Sequence, residues 1–253
     1  MHLQQFTRVL LCVFSLLQTV TGGAIVNGHT VSDELMQYMV SLQNETNQHL
    51  CGGALVSDKF VLTAAHCKKD KLVRAVLGTH DLEKAATLGQ TIDIDLEFDH
   101  PLFETPGKGD DLMLIKLKKK VVLGRRVKII QLPTANLNVQ PHTWCKVAGW
   151  GATVTGGPMV SELMVTDVSV IDKETCGRMW GYVPSNVICA GGHTTESGFC
   201  QGDSGGPLVC GNTAVGVVSF NKFENCNYRD SVPNVYVDVS KYLDWIHKTM
   251  KNN

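Results

Sequence analysis

Three short stretches carry residue types that could act together on one carbonyl group. They are "TAAHC" with His66, "GDDLMLIKL" with Asp111 and "GDSGGP" with Ser204. Acyl transfer needs a nucleophile, a base that takes its proton and an anion that orients the base. A hydroxyl, an imidazole and a carboxylate can fill those roles. The surroundings of each residue suit it. His66 comes shortly after the apolar "FVL", at the end of an expected strand. Asp111 directly precedes an apolar run, where a carboxylate is desolvated and costly without a partner. Asp110 is the competitor for that role, and the immediate contact with the run favours Asp111. Ser204 lies among glycines, where backbone N–H groups can approach a ligand closely. Taken singly, each residue also has a plain structural reading, as a core His, a capping Asp and a turn Ser. The three together argue for chemistry.

The elements that must position these residues read as strands. "TIDIDLEF" alternates, with Ile92, Ile94, Leu96 and Phe98 on one face and acids on the other, the pattern of a half-buried antiparallel strand. "LMLIKL" is a short apolar run suited to a strand covered on both sides, and "NTAVGVVSF" and "NVYVDVS" are further strands punctuated by Gly and Pro. Only the end reads as helical. In "DVSKYLDWIHKTM", Val239, Tyr242, Leu243, Ile246 and Met250 fall at i, i+3, i+4 spacing, with Trp245 out of pattern. The polar segment 131–141, with a Pro near each end, divides the rest into two halves of domain size.

The first residues differ in kind. One basic residue, Arg8, precedes the apolar run 9–17 and then small and polar residues. That is the layout of a secretory signal over residues 1–22, with Val20 and Gly22 at a cleavage site, and the run is too short for a membrane anchor. No later segment is long and apolar enough to span a bilayer, so no membrane span is expected. Loss of Arg8 moves the formal charge from −1 to −2, which gives no reason to expect nucleic-acid binding. Of the nine cysteines, Cys12 goes with the signal and eight remain, an even number that argues for disulfides in a secreted chain. A zinc site is the rival reading, but no C-x-x-C pair occurs and no metal is expected. Asn44, in the sequon Asn44-Glu45-Thr46 of a polar loop, is a glycosylation candidate.

The three motifs, in the chain order His, Asp, Ser, resemble those of the chymotrypsin-like serine proteases, and the resemblance runs from "IVNG" at Ile25 to the end of the chain. It implies an all-β fold of two packed six-stranded antiparallel barrels with a short C-terminal helix, as one protease domain over residues 25–253. It implies Ser204 as nucleophile, His66 as base and then acid, Asp111 as orienting anion, and the N–H groups of Gly202 and Ser204 as an oxyanion hole. It implies the disulfides Cys51–Cys67, Cys145–Cys210, Cys176–Cys189 and Cys200–Cys226, a choice the count alone leaves open among 105 pairings. A new N-terminus at Ile25 would pair with Asp203 and switch the oxyanion loop on. Asn27 stands where the family usually has Gly.

Ala24 is not basic, so a trypsin-like activator has no site. Removal of the dipeptide 23–24 by a dipeptidyl peptidase is the arrangement of granule-stored immune proteases such as granzymes, neutrophil elastase and mast-cell proteases. "LGTHDL", residues 77–82, is similar to a stretch of that group and lacks the leading Glu of a calcium loop. The pocket floor, six places before Ser204, is Gly198 where trypsin-like members carry Asp. With Phe199 next to it, Ser219, Phe220 and Asn221 on a substrate-binding edge, and Asn221 and Asn234 where many relatives have Gly, the resemblance implies a pocket for a small or medium neutral residue. Partners implied are protein or peptide substrates and serpin-type inhibitors, with a monomer as the default. The basic cluster "KLKKKVVLGRR" reads as a solvated loop ahead of a site for polyanionic proteoglycan. A catalytically silent homologue that binds without cutting is the alternative function, and labelling of Ser204 by a phosphonylating probe separates the two.

Overall fold

The structure, a computed structural model, describes residues 25–253 apart from 136, 194, 196 and 229–231. The signal and the dipeptide expected over 1–24 lie outside the described residues. No helix among the described residues is long and apolar enough to cross a membrane.

Six strands close into a first barrel: β2 (Met39–Gln43), β3 (His49–Leu55), β4 (Phe60–Thr63), β5 (Arg74–Leu77), β6 (Gln90–Asp99) and β7 (Met113–Leu117), in the order β2-β3-β4-β7-β6-β5. A two-residue strand, β1 (His29–Thr30), belongs to the second barrel, where it pairs with β9 (Met164–Ile171). The other strands there are β8 (Trp144–Gly149), β10 (Val187–Ala190), β11 (Pro207–Cys210), β12 (Thr213–Phe220) and β13 (Asn234–Asp238). Their order is β9-β10-β13-β12-β11-β8, and the pairing of β8 with β9 closes the ring. The fold is thus the pair of six-stranded antiparallel barrels that the motifs imply.

The continuous apolar run 112–115 leads into β7 and supplies its first half, with Leu112, Met113, Leu114 and Ile115 fully enclosed. Every such side chain contributes about 1.5–3 kcal/mol through burial. β6 departs from its alternation. Its register against β7 shifts between Ile94 and Leu96, and Leu96 ends 46% exposed while Ile92 is buried. The irregularity turns Leu96 outward, although Phe98 beyond it packs on the core again, so a perfect period-2 pattern does not guarantee a buried face.

The C-terminal helix α3 (Leu243–Asn252) follows a short 3₁₀ turn. It lays Leu243 and Ile246 on a core cluster shared with strands of both barrels, and the expected outlier Trp245 packs at its margin. A second helix, α2 (Lys173–Trp180), contradicts the reading that only the end is helical. Its signal is the cap. The Asp172 carboxylate accepts the Thr175 N–H at 2.8 Å, and Cys176 is tied to β10. A single helical turn, α1 (Ala85–Leu88), precedes β6. Segment 131–141 lies between β7 and β8, in the connection between the barrels. The four disulfides are those the resemblance implies.

Candidate active site

His66 and Asp111 come from the first barrel and Ser204 from the second. His66 opens a 3₁₀ turn directly after β4, and Asp111 sits at the entry to β7, which pairs with β4. That pairing brings the two side chains together. Asp111 is fully buried and accepts three hydrogen bonds, from His66 N–H at 2.9 Å, His66 Nδ1 at 2.7 Å and Ser219 Oγ at 2.6 Å. A carboxylate only accepts, so Nδ1 carries the proton and Nε2 keeps its lone pair. Asp110 takes a different path. Its backbone adopts φ 57°, and its carboxylate accepts the Tyr242 hydroxyl at 2.9 Å, beneath the C-terminal helix.

Ser204 lies on the loop before β11. Its carbonyl accepts the Gly52 N–H of β3 at 2.8 Å, a bond across the seam between the barrels. The next residue must be glycine. Gly205 has φ +79°, and a Cβ there would lie 2.1 Å from Thr63 Oγ1. His66 and Ser204 both line one cleft of about 800 Å³ at this seam. The N–H groups of Gly202 and Ser204 have no acceptor among the described residues. His49, absent from the sequence reading, holds this loop from behind. Its Nε2 donates to the Gly202 carbonyl at 2.9 Å and its Nδ1 accepts from Ser41 Oγ at 2.8 Å. Burial pushes its pKa down to about 4, so it stays neutral in this clamp.

Asp203 is fully buried and accepts the Gly151 N–H at 2.9 Å and the Cys200 N–H at 2.8 Å. Burial nevertheless pushes its pKa up to about 7, with the two N–H donors pulling the other way. Two glycines make room for it, since a Cβ on Gly149 would fall 2.0 Å from Oδ1 and one on Gly151 2.6 Å. Ile25 is also fully buried, in the core of the second barrel, and Val26 N–H donates to the Gly198 carbonyl at 3.1 Å. Asn27 sits at φ 58°, a left-handed conformation that Asn accepts more readily than most residues, which lets it replace a glycine.

Of the expected pocket residues, Phe199, Ser219, Phe220 and Asn221 line the cleft with Ser204, while Gly198 and Asn234 do not reach it. Phe199 turns its ring edge-on against Tyr236, 5.3 Å away in the barrel core. Phe220 packs edge-on against Trp180, also at 5.3 Å. Ser219 serves Asp111 in addition to bordering the cleft. Asn221 and the fully buried Asn234 both direct amide groups at the hydroxyl of Tyr228, a residue missing from the sequence reading.

Other expectations fall at the surface. Asn44 lies in the turn between β2 and β3, its side chain bonded to Thr46 and Gln48. The basic cluster is laced to acids, Lys118 to Asp93, Lys120 to Asp58, Arg125 to Glu34 and Arg126 to Asp33. Such pairing lowers the positive field a polyanion would need. Among the described residues no cluster of three His, Cys, Asp or Glu is placed to hold a metal.

The trypsin family model matches residues 25–246. The chain belongs to the trypsin family. It is 36% identical to duodenase-1 of Bos taurus over 96% of either chain, and 36% identical to granzyme B(G,H) of Mus musculus over 97% of this chain and 98% of that one. Among solved structures, human heparin binding protein superposes with a TM-score of 0.81 at 32% identity, over 90% of this chain and 98% of the other. With this family go a hydrolase function and a serine endopeptidase activity.

Proposed function

We propose that this trypsin-family member is a secreted serine endopeptidase that cuts after small or medium neutral residues. Its inactive precursor would be activated by removal of residues 23–24. The observation that carries the reading is the buried Asp111–His66 pair at 2.7 Å, opening onto the same cleft as Ser204. Ser204 Oγ attacks the scissile carbonyl as His66 Nε2 takes its proton, and the Gly202 and Ser204 N–H groups receive the oxyanion. His66 then protonates the leaving amine. Water, activated by the same nitrogen, releases the acyl group. The buried Asp111–His66 pair favours this reading over a silent homologue, which would not need an oriented imidazole beside Ser204.

Specificity follows from the pocket wall. Gly198 offers no carboxylate to a basic side chain, and the polar groups nearby are neutral amides and a phenol. Secretion, with storage in immune-cell granules, is supported by the leader-like residues 1–22 and by the granzyme relative. A dipeptidyl peptidase as activator fits the residues ahead of Ile25, and serpin-type inhibitors fit the open cleft.

The test uses protein beginning at Ile25, with Ser204→Ala as control, and a peptide library varied at the residue before the scissile bond. Cleavage after Ala, Val, Leu or Met is expected to exceed cleavage after Arg or Lys by at least ~10-fold in kcat/KM. The reverse order would sink the specificity, and failure of a phosphonylating probe to label Ser204 would sink the enzyme.

A further inference from the structure

We infer that Tyr228 sets the depth of the substrate pocket, filling its lower half so that, among the neutral residues named above, short ones such as Ala and Val fit best and large aromatic ones are excluded; this rests on the protease reading above. The phenol lies buried behind the cleft, where its hydroxyl links segments that border it. Its hydroxyl donates to the Phe199 carbonyl on one side. It accepts the Asn234 amide at 2.9 Å and the Asn221 amide at 3.3 Å on the other. Three polar groups from both walls therefore meet on one oxygen. Tyr228 itself is 2% exposed.

The ring also explains Gly198. A Cβ on Gly198 would lie 3.0 Å from Tyr228 Cε2 and 3.0 Å from Asn234 Nδ2. The glycine is thus not the open floor of a deep pocket, because it lies beneath a ring that leaves no room for a larger residue. In agreement, the cleft is lined by Phe199, Gln201, Ser219 and Asn221 and stops short of Gly198, Tyr228 and Asn234, which lie packed together below it. At the mouth, the Gln201 amide donates to the Glu224 carbonyl and narrows the entrance. Burial of a phenol costs little when its hydroxyl is satisfied, and here it is satisfied threefold.

Removing the ring would vacate a space of its own shape. The Phe199 carbonyl and the Asn221 and Asn234 amides would then await a hydroxyl, and the Asn234 Oδ1, buried without a donor, would add a further acceptor. A substrate Tyr carries the group that fits.

Peptide boronic acids that differ only at the residue contacting the pocket test this on protein beginning at Ile25, as wild type, Tyr228→Ala and Tyr228→Phe. The wild type should bind the Ala boronate at least ~10-fold more tightly than the Tyr boronate. Tyr228→Ala should reverse that order and prefer Tyr over Phe, while Tyr228→Phe, which keeps the ring, should keep the wild-type order. Labelling of Ser204 by a phosphonylating probe, run in parallel, counts folded active sites. A wild type that labels yet binds the Tyr boronate as tightly as the Ala one overturns the role of Tyr228 and leaves the protease reading standing, even if Tyr228→Ala does not fold. A folded Tyr228→Ala that keeps the Ala preference overturns it as well. A wild type that does not label removes the reading on which the inference rests.

Discussion

Ser204→Ala should lower kcat for peptide hydrolysis by about 10⁶ with KM nearly unchanged, and His66→Ala should cost as much. The double variant should be no worse than either alone, because the two groups act as one unit and what remains comes from binding and the oxyanion donors. Asp111→Asn is the more informative change. The carboxylate accepts from His66 N–H, from His66 Nδ1 and from Ser219 Oγ, so it has no use for a donor. An amide in its place brings an N–H₂ against at least one of these donors. The relief available to His66 is to shift its proton from Nδ1 to Nε2, the nitrogen that must serve as base. A loss on the order of 10⁴ in kcat is expected, the size found for this change in the family's type enzyme. Steady-state kinetics on one good peptide decide it. A loss under tenfold would mean that Asp111 does not set the tautomer of His66.

Asp203 should make stability depend on pH in one direction before processing and lose that dependence after it. In the unprocessed chain the Ile25 nitrogen is a peptide nitrogen and carries no charge. The Asp203 pKa is raised by burial to about 7, above its ordinary carboxylate value, so the folded chain holds a proton there that the unfolded chain has released. Stability is therefore gained as pH falls from about 7 toward 4 and lost as pH rises through that window, with roughly 4 kcal/mol at stake. Once residue 24 is removed, an ammonium at Ile25 can pair with the ionised carboxylate and offset the burial. Thermal melts of both forms from pH 5 to 8 test this, with Asp203→Asn as reference. The unprocessed wild type should approach the Asn variant at low pH and fall below it at high pH. In the processed form the same substitution should cost roughly 10²–10³ in kcat/KM, because it leaves the ammonium buried and alone. Parallel pH profiles for wild type and Asp203→Asn in the unprocessed chain would remove Asp203 as the source.

The parts legible in the sequence are those whose cause is local. The run 112–115 suits a strand covered on both sides, since four adjacent apolar residues in so short a stretch need cover on every side. The glycines around Ser204 were readable as a place of close backbone approach, and Gly205 meets that need against Thr63. The parts that stayed hidden depend on distant partners. The exposure of Leu96 comes from a register shift set by β7, which no pattern within β6 records. The helix α2 was masked by Gly177 in its middle, although Asp172 marked its start. Tyr228 lies in a loop with no periodic pattern around it, and only the meeting of Phe199, Asn221 and Asn234 on one oxygen points to its role. His49 and Ser219 look like ordinary strand residues until the fold places them against Gly202 and Asp111.

The cross-links have a consequence for how the molecule comes apart. Cys51–Cys67 closes on the first barrel, while Cys145–Cys210, Cys176–Cys189 and Cys200–Cys226 all close on the second. Among the described residues, no covalent tie other than the connecting backbone joins the half that holds His66 and Asp111 to the half that holds Ser204. A single nick between residues 131 and 141 would turn the enzyme into a heterodimer of two internally stapled pieces. Its catalytic power would then become a matter of mass action, surviving in concentrated solution and fading on dilution as the half with the base drifts from the half with the nucleophile.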